Sequence, residues 1–270
     1  MGQALARRFV AGGFEVVGWD VSESCRVALA QLGGRTGESV DEVLASCDRV
    51  VLSLPDSKIV REVLHSATLR NGQIIIDTST GDPDDAVAMA SELSAKGVRY
   101  LDATISGSSA QVAAGTVTLM IGGDAEVVAG CSDVFACIGP TVFHVGEAGS
   151  GARMKLVTNL VLGLNRAALA EGLTLARMLG LGLAQSLEVL QGSMAYSRIM
   201  DTKGAKMISA DFTPQAKLSQ HLKDVRLMLQ AAEARGLQLP LSEAHRALLE
   251  RAEAMGCGEL DNSAIIKAFS

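Results

Sequence analysis

The sequence predicts an α/β chain, with a doubly wound parallel sheet in its first half and an all-α helical domain in its second. Three observations predict it. Short apolar runs that end on turn residues alternate with helically spaced stretches as far as Val145; no strand-like run follows; and from Gly151 onward apolar residues recur only at helical periods. Near-continuous apolar strands separated by helices are what a parallel sheet covered on both faces requires. The domains divide as 1–148 and 149–270, within the short stretch Gly146–Gly151.

Taken in order, Gly2 to Gly13 is a helical run ending in a glycine pair, and Glu15 to Trp19 is a short strand stopped at Asp20. Ser22 to Leu32 returns to helical spacing, and Ser39 with Glu42 has the spacing of a capping box. Arg49 to Leu54 reads as a buried strand stopped by Pro55, and Gln73 to Ile76 as another stopped at Asp77. Pro83 suits the first turn of a helix running to Lys96. Arg99–Ala103, Val117–Gly122 and Thr141–Val145 read as strands, with a helix over 124–137 between the last two. The second half opens with one long helix over 150–179, apolar nearly all round and so expected to be buried on every side. Further helices are expected over 184–190, 198–209, 215–235, 242–255 and 263–269.

Composition narrows the function. The 270 residues are 48% hydrophobic and 20% charged, with a formal net charge of −6 and only 3% aromatics. Neither the basic stripe nor the stacking aromatics of a nucleic-acid binder are present. The apolar run from Met154 to Leu183 is interrupted by Lys155, Arg166, Glu171 and Arg177, which a membrane span would not carry. Five separated cysteines without C-x-x-C spacing read as reduced thiols in a cytoplasmic protein. No cluster of His, Cys and Asp suggests a metal.

Dinucleotide-binding Rossmann domains open with a strand, a G-x-G-x-x-G turn and a helix, with an acidic residue about 20 positions on. Asp20 ends a plausible second strand, and counting back puts Gly2 at the third glycine. The chain thus reads as lacking the first Rossmann strand and the first two glycines. Asp20 would bond the adenosine ribose hydroxyls and repel a 2′-phosphate, which favours NAD while leaving NADP possible. Alternatively, Asp20 caps the helix starting near Ser22. Leu54-Pro55 and Asp77-Thr78-Ser79-Thr80 are turns at carboxyl ends of strands, where open α/β sheets bind ligands.

Two longer constellations follow. Asp102-Ala103-Thr104-Ile105-Ser106-Gly107-Ser108 precedes Gly115-Thr116 and a strand ending at Gly122-Gly123; successive N–H groups after a strand can receive a carboxylate. Gly149-Ser150-Gly151 then leads to Lys155 and Asn159, four apart and therefore on one helix face. In isolation Lys155 could simply snorkel to the surface.

These motifs, from Met1-Gly2 to the closing Gly258-Glu259-Leu260-Asp261-Asn262-Ser263-Ala264, resemble those of the β-hydroxyacid dehydrogenase family over the whole chain. Thr104 departs from its usual proline and Ser108 from a frequent glycine. The resemblance implies that Lys155 is the catalytic acid/base, with Asn159 orienting substrate and lysine. It implies that Ser106, Gly107 and Ser108 grip the substrate's acid group. Gly2, Asp20, Leu54, Pro55 and Thr80 would line the cofactor site, joined by Lys223 of the His221-Leu222-Lys223-Asp224 stretch, itself otherwise an ordinary exposed helix lysine. Free lysine titrates near 10.4; burial and the positive nicotinamide ring would bring Lys155 nearer neutrality. The implied activity is NAD(P)-dependent interconversion of a small 3-hydroxy acid and its semialdehyde, as in 3-hydroxyisobutyrate dehydrogenases. A glyoxylate or succinic semialdehyde reductase is an alternative within the family, and a non-catalytic dinucleotide-binding or scaffold module one outside it. Thr158, where a 6-phosphogluconate dehydrogenase has histidine, and the shorter helical half speak against that relative. The length of the apolar helix leads to the expectation of a homodimer or homotetramer.

Overall fold

A computed structural model describes residues 1–269. They form two compact units, the first from Met1 to Lys155 and the second from Leu156 onward.

In the first unit, helix α1 (Gly2–Ala11) leads to strand β1 (Val17–Gly18), α2 (Glu23–Gln31), β2 (Arg35–Thr36) and α3 (Val40–Ser46). Strand β3 (Arg49–Leu52) is followed by α4 (Ser57–Ser66), β4 (Ile74–Asp77), α5 (Pro83–Ser94) and β5 (Arg99–Ser106). The unit continues through α6 (Ser109–Ala114), β6 (Thr118–Gly122), α7 (Ala125–Gly130), α8 (Ser132–Ile138) and β7 (Thr141–Gly146). β1 and β2 pair in parallel as a sheet of their own, and the other strands form a five-stranded sheet in the order β3-β4-β5-β6-β7.

The expected parallel sheet is realised for β3, β4 and β5, with Leu52 and Asp77, at the ends of β3 and β4, in register with Asp102 midway along β5. β6, however, runs antiparallel to β5. Chain length explains the reversal. A parallel crossover takes a dozen or more residues and usually a full helix, whereas only residues 107–117 with the six-residue α6 separate β5 from β6. The longer 123–140 connection, with α7 and α8, returns β7 parallel to β6. Those two helices replace the single one expected over 124–137, the break falling at Cys131.

Side chains alternate across the sheet. Val50, Leu52, Ile75 and Tyr100 pack with α3, α4 and α5 on one face, and Ile76, Leu101 and Ala103 pack with α1 and α8 on the other. The Ser39 cap forms as expected, accepting from the Glu42 N–H at 3.2 Å, but Glu42 turns its carboxylate to the Glu38 N–H and Arg35 instead of closing the box.

Helix α9 (Ser150–Met178) begins in the first unit and runs into the second. It is followed by α10 (Leu183–Gln191), a π-helical turn over Met200–Gly204, α11 (Ala205–Ser209), α12 (Leu218–Glu233), α13 (Pro240–Ala252), a second π turn over Glu253–Cys257 and a 3-10 segment over Asn262–Phe269. Leu156, Leu169, Leu173, Leu222, Val225, Leu249 and Ile265 form the core of this all-helical unit. Buried Lys203 lies 2.9 Å from both oxygens of Asp261, which also accepts from the Gln215 N–H and the Ser263 hydroxyl. Burial alone would raise the Asp261 carboxyl; these donors overcome it and bring it down to about 2.

Within the single chain α9 is not covered on every side: Val157, Val161, Leu175 and Met178 are all exposed. Among the described residues no helix is long and apolar enough to cross a membrane.

Candidate active site

The carboxyl ends of β3, β4 and β5 assemble most of the residues singled out in the first half. The Thr78 hydroxyl and N–H both donate to the Leu52 carbonyl, at 2.6 and 2.9 Å. The Leu54 N–H donates to the Ser79 hydroxyl at 2.9 Å, and the Ser79 N–H to Asp77 at 2.8 Å. The Leu54-Pro55 and Thr78-Thr80 turns are thus bonded to each other, with Leu54 and Thr80 half-buried and Pro55 exposed. Asp77 also accepts from the Tyr100 hydroxyl, and burial pushes its carboxyl up against these bonds.

Gly2 opens α1, and a side chain there would come within 3.8 Å of Ser53, on the loop after β3. The first N–H groups of a helix have no partner within it. Asp20, exposed at the end of β1, accepts from the Ser22 N–H at 2.8 Å, while Arg26 donates to the carbonyls of Asp20 and Val21. Asp20 thus bonds the backbone just before α2 without bonding a helix N–H, and Arg26 is held beside it. An acidic residue after a strand, a helix N-terminus and turns at strand ends are the parts a dinucleotide needs, so the residues present fit that cofactor.

β5 delivers the other half. Ser106 ends it, and Gly107 follows with φ 152, where a side chain would press on Val117 at 2.6 Å. Ser108 is committed to helix α6: its hydroxyl accepts from the Gln111 N–H and its own N–H donates to the Gln111 side chain. Ser106 and Gly107 carry no such commitment to α6.

Lys155 is 9% exposed, and its Nζ donates to the Ile105 carbonyl at 2.6 Å. A docked helix end puts it there. The Asp102 carboxylate accepts from the N–H groups of Gly149 and Ala152, both at 2.8 Å, and the Thr104 hydroxyl donates to the Gly151 carbonyl at 2.9 Å. Gly151 lies so close to the carbonyls of Asp102 and Met120 that no side chain fits. Burial pushes the Asp102 carboxyl up; the two helix N–H groups pull it back. This docking also places the compact-unit boundary after Lys155, a turn and more beyond residue 148.

In the second unit Asn159 is 7% exposed and donates from Nδ2 to Asp224 at 3.0 Å. Lys223, on the same turn of α12, lies 4.0 Å from Asp224 and is partly exposed. The sequence motifs single out Lys223 and give Asp224 and Asp102 no role of their own. The adjoining Lys-Asp pair was the available signal for Asp224; Asp102 had none beyond its place in a motif. Among the described residues no group of three or more His, Cys, Asp or Glu side chains could hold a metal ion.

Comparison with known proteins agrees with this architecture. Residues 1–146 match the NAD binding domain of 6-phosphogluconate dehydrogenase, and residues 149–269 match the family described as NAD-binding of NADP-dependent 3-hydroxyisobutyrate dehydrogenase. The chain is 33% identical to 2-(hydroxymethyl)glutarate dehydrogenase of Eubacterium barkeri, covering 100% of this chain and 91% of that one. It is 32% identical to 2-hydroxy-3-oxopropionate reductase of Escherichia coli (strain K12), over 89% and 84% of the two chains. Human cytokine-like nuclear factor N-PAC is 29% identical, and there the whole chain spans 50% of the relative's length. In structure it superposes on Mycobacterium tuberculosis 3-hydroxyisobutyrate dehydrogenase, solved with L-serine, with a TM-score of 0.91 at 28% identity, over 100% and 95% of the chains. Two family matches that together span nearly the whole sequence, and full-length relatives above 30% identity, make the chain a member of the β-hydroxyacid dehydrogenases, NAD(P)-dependent oxidoreductases.

Proposed function

We propose that the protein interconverts a small 3-hydroxy acid and its semialdehyde, with Lys155 as the proton-transfer group. The observation that carries this reading is the buried Lys155 amine on the Ile105 carbonyl, one residue before Ser106 and Gly107. The compounds named with the relatives share one pattern. 2-(Hydroxymethyl)glutarate, 2-hydroxy-3-oxopropionate, 3-hydroxyisobutyrate and serine each carry a carboxylate and, on the carbon beside it, a CH₂OH or aldehyde group.

In the proposed mechanism the turn N–H groups at Ser106 and Gly107 hold the carboxylate. That orients the neighbouring CH₂OH carbon toward Lys155. In oxidation the C–H bond is lost as hydride and the O–H bond as a proton, leaving the aldehyde. A nicotinamide cofactor, when bound, accepts or returns the hydride. The proton passes from the substrate oxygen to the neutral amine of Lys155; in reduction the ammonium returns it. Asn159, one turn further along α9, orients the oxygen and transfers no proton. Asp20 favours NAD by repelling a 2′-phosphate, with NADP as the alternative cofactor. The 3-hydroxyisobutyrate type is favoured over a glyoxylate or succinic semialdehyde reductase because it shares the carboxylate–CH₂OH pattern. Five unpaired cysteines suit a reducing cytoplasm.

The test is steady-state kinetics in both directions on 3-hydroxyisobutyrate, serine, glyoxylate and succinic semialdehyde. Lys155→Ala keeps fold and NAD affinity and loses 10²–10⁴-fold in turnover, roughly the worth of a positioned acid/base. Lys155→Arg does not recover it, because a guanidinium stays protonated, and Asn159→Ala is milder. A Lys155→Ala protein that turns over its best substrate at the wild-type rate sinks the mechanism.

A further inference from the structure

Thr104 is 1% exposed, on the same face of β5 as Asp102 two residues earlier. A buried hydroxyl has to find a partner, and it has one proton to give. Two carbonyls lie within its reach, that of Met120 on β6 at 3.2 Å and that of Gly151 on α9 at 2.9 Å. Met120 is its register partner across the β5–β6 ladder, so this hydroxyl needs no helix to be satisfied. The shorter contact nevertheless goes to the helix.

The Gly151 carbonyl is a particular acceptor. α9 begins at Ser150, and in an α-helix the carbonyl of residue 151 receives the N–H of residue 155. The Thr104 hydroxyl therefore joins the same oxygen that fixes the backbone of Lys155. The other end of that lysine returns to the strand, where its Nζ donates to the carbonyl of Ile105, the residue next to Thr104. Backbone and amine are thus tied to two consecutive residues of β5, and Ser106 and Gly107 come directly after them. Asp102 does something different. It holds the N–H groups of Gly149 and Ala152, which sets where the helix starts. Those bonds gather at the helix start, about which the first turn can still rotate; a tie on the 151–155 face stops that rotation. The proline usual at position 104 has no side-chain donor, so the tie does not come with the fold.

We propose that Thr104 is a positioning residue for Lys155. Its bond to the Gly151 carbonyl sets the first turn of α9 against β5, and with it the place of the Lys155 amine relative to the Ser106–Gly107 turn. This inference rests on the proton-transfer role given to Lys155 above.

The experiment compares Thr104→Val, which keeps shape and removes the hydroxyl, with Thr104→Ser, which keeps the hydroxyl. In Thr104→Val the Gly151 carbonyl still has the Lys155 N–H, so no acceptor is orphaned. The melting temperature falls by roughly 2–4 °C, the worth of one hydrogen bond in a chain of this size. On the best substrate of the panel kcat falls roughly 10–100-fold, the order of loss for a displacement of about 1 Å, while KM and NAD affinity hold. Thr104→Ser recovers most of the turnover. Turnover of Thr104→Val within about twofold of wild type (about 0.4 kcal/mol), or an equal loss in Thr104→Ser, overturns the proposal. If Thr104→Val does not fold, Thr104→Cys replaces it on the same terms, its thiol being a poor donor in a similar shape. A second readout needs no turnover. Brief acetylation with acetic anhydride, followed by digestion and mass spectrometry, measures how firmly the Lys155 amine is held. Labelling at Lys155 rises several-fold in Thr104→Val and returns in Thr104→Ser, while Lys203, equally buried, stays protected. An unchanged rate at Lys155, or a rise at both lysines, refutes the tie. Should Lys155→Ala keep full activity while the label still follows Thr104, the catalytic role of Lys155 falls and the tie stands.

Discussion

Asp20 and Arg26 bring opposite charges to the end of β1, and on the proposed reading the balance between them would set which cofactor binds there. The Asp20 carboxylate would repel a 2′-phosphate, yet Arg26 is already tethered beside it by the carbonyls of Asp20 and Val21. Asp20→Ser removes the repulsion, keeps a short acceptor for the Ser22 N–H and leaves the guanidinium in place. Both groups are solvent-exposed and screened, so the gain is modest, about tenfold in NADP(H) affinity (~1.4 kcal/mol), with NAD(H) weakened. Fluorescence titration at low salt measures both constants; an unmoved NADP(H) constant means the carboxylate does not face the ribose. At this scale the sequence was readable where chemistry had a spacing. Lys155 and Asn159 stand four apart in an apolar helix, and that alone puts them on one face. Arg166 was readable only as a charge that spoils a membrane span. Its burial depends on α12 and α13 closing over Gly163, which no local pattern encodes. Asp102 and Asp224 were hidden for the same reason: each acts on a helix far away in sequence.

The first turn of α9 is the element on which Lys155 depends. Asp102 accepts two of its N–H groups, Thr104 donates to Gly151, and the bare Gly151 backbone lets strands β5 and β6 approach. Asp102→Asn keeps the shape but replaces one acceptor by an NH₂ facing an N–H, and leaves a buried donor unmet. We expect a loss of about 1–3 kcal/mol in urea unfolding at neutral pH, together with reduced turnover, since the helix carrying Lys155 loses its anchor. An unchanged unfolding midpoint would mean that the cap contributes nothing net. The elements themselves were legible where they were long and periodic, as with α5, α9 and α12. β2 was missed because two residues hold no periodicity, and α6 because six residues make barely more than a turn. The direction of β6 was misread because apolar runs encode burial and not strand sense; only the short 107–117 connection carried that information. The π turn at Met200–Gly204 interrupts an otherwise helical pattern at the point where Lys203 turns inward to Asp261, a tertiary pairing invisible in the local sequence.

At the scale of the whole molecule, α9 leaves an apolar face uncovered. Met154, Val157, Val161, Ala168, Leu175 and Leu179 recur at helical spacing along one side, with Val157 57% and Leu175 58% exposed, and Met178 beside them at 79%. The 26 residues from Met154 to Leu179 span 25 steps of about 1.5 Å, a stripe roughly 37 Å long. Monomeric proteins rarely expose contiguous apolar patches beyond a few hundred Å², and a stable pair needs about 800 Å² from each partner. A second copy contributing the same stripe would meet that need with a self-complementary surface, as a two-fold dimer requires. We therefore expect a dimer or tetramer mass by light scattering at micromolar concentration, and a melting temperature that rises with protein concentration, since association stabilises only the folded state. Val157→Glu with Leu175→Glu puts two like charges from each copy into the apolar contact and should release folded monomers, with the far-ultraviolet spectrum unchanged. A monomeric mass for the unmodified chain across that concentration range, with no concentration dependence in its melting, would mean that this face stays in water.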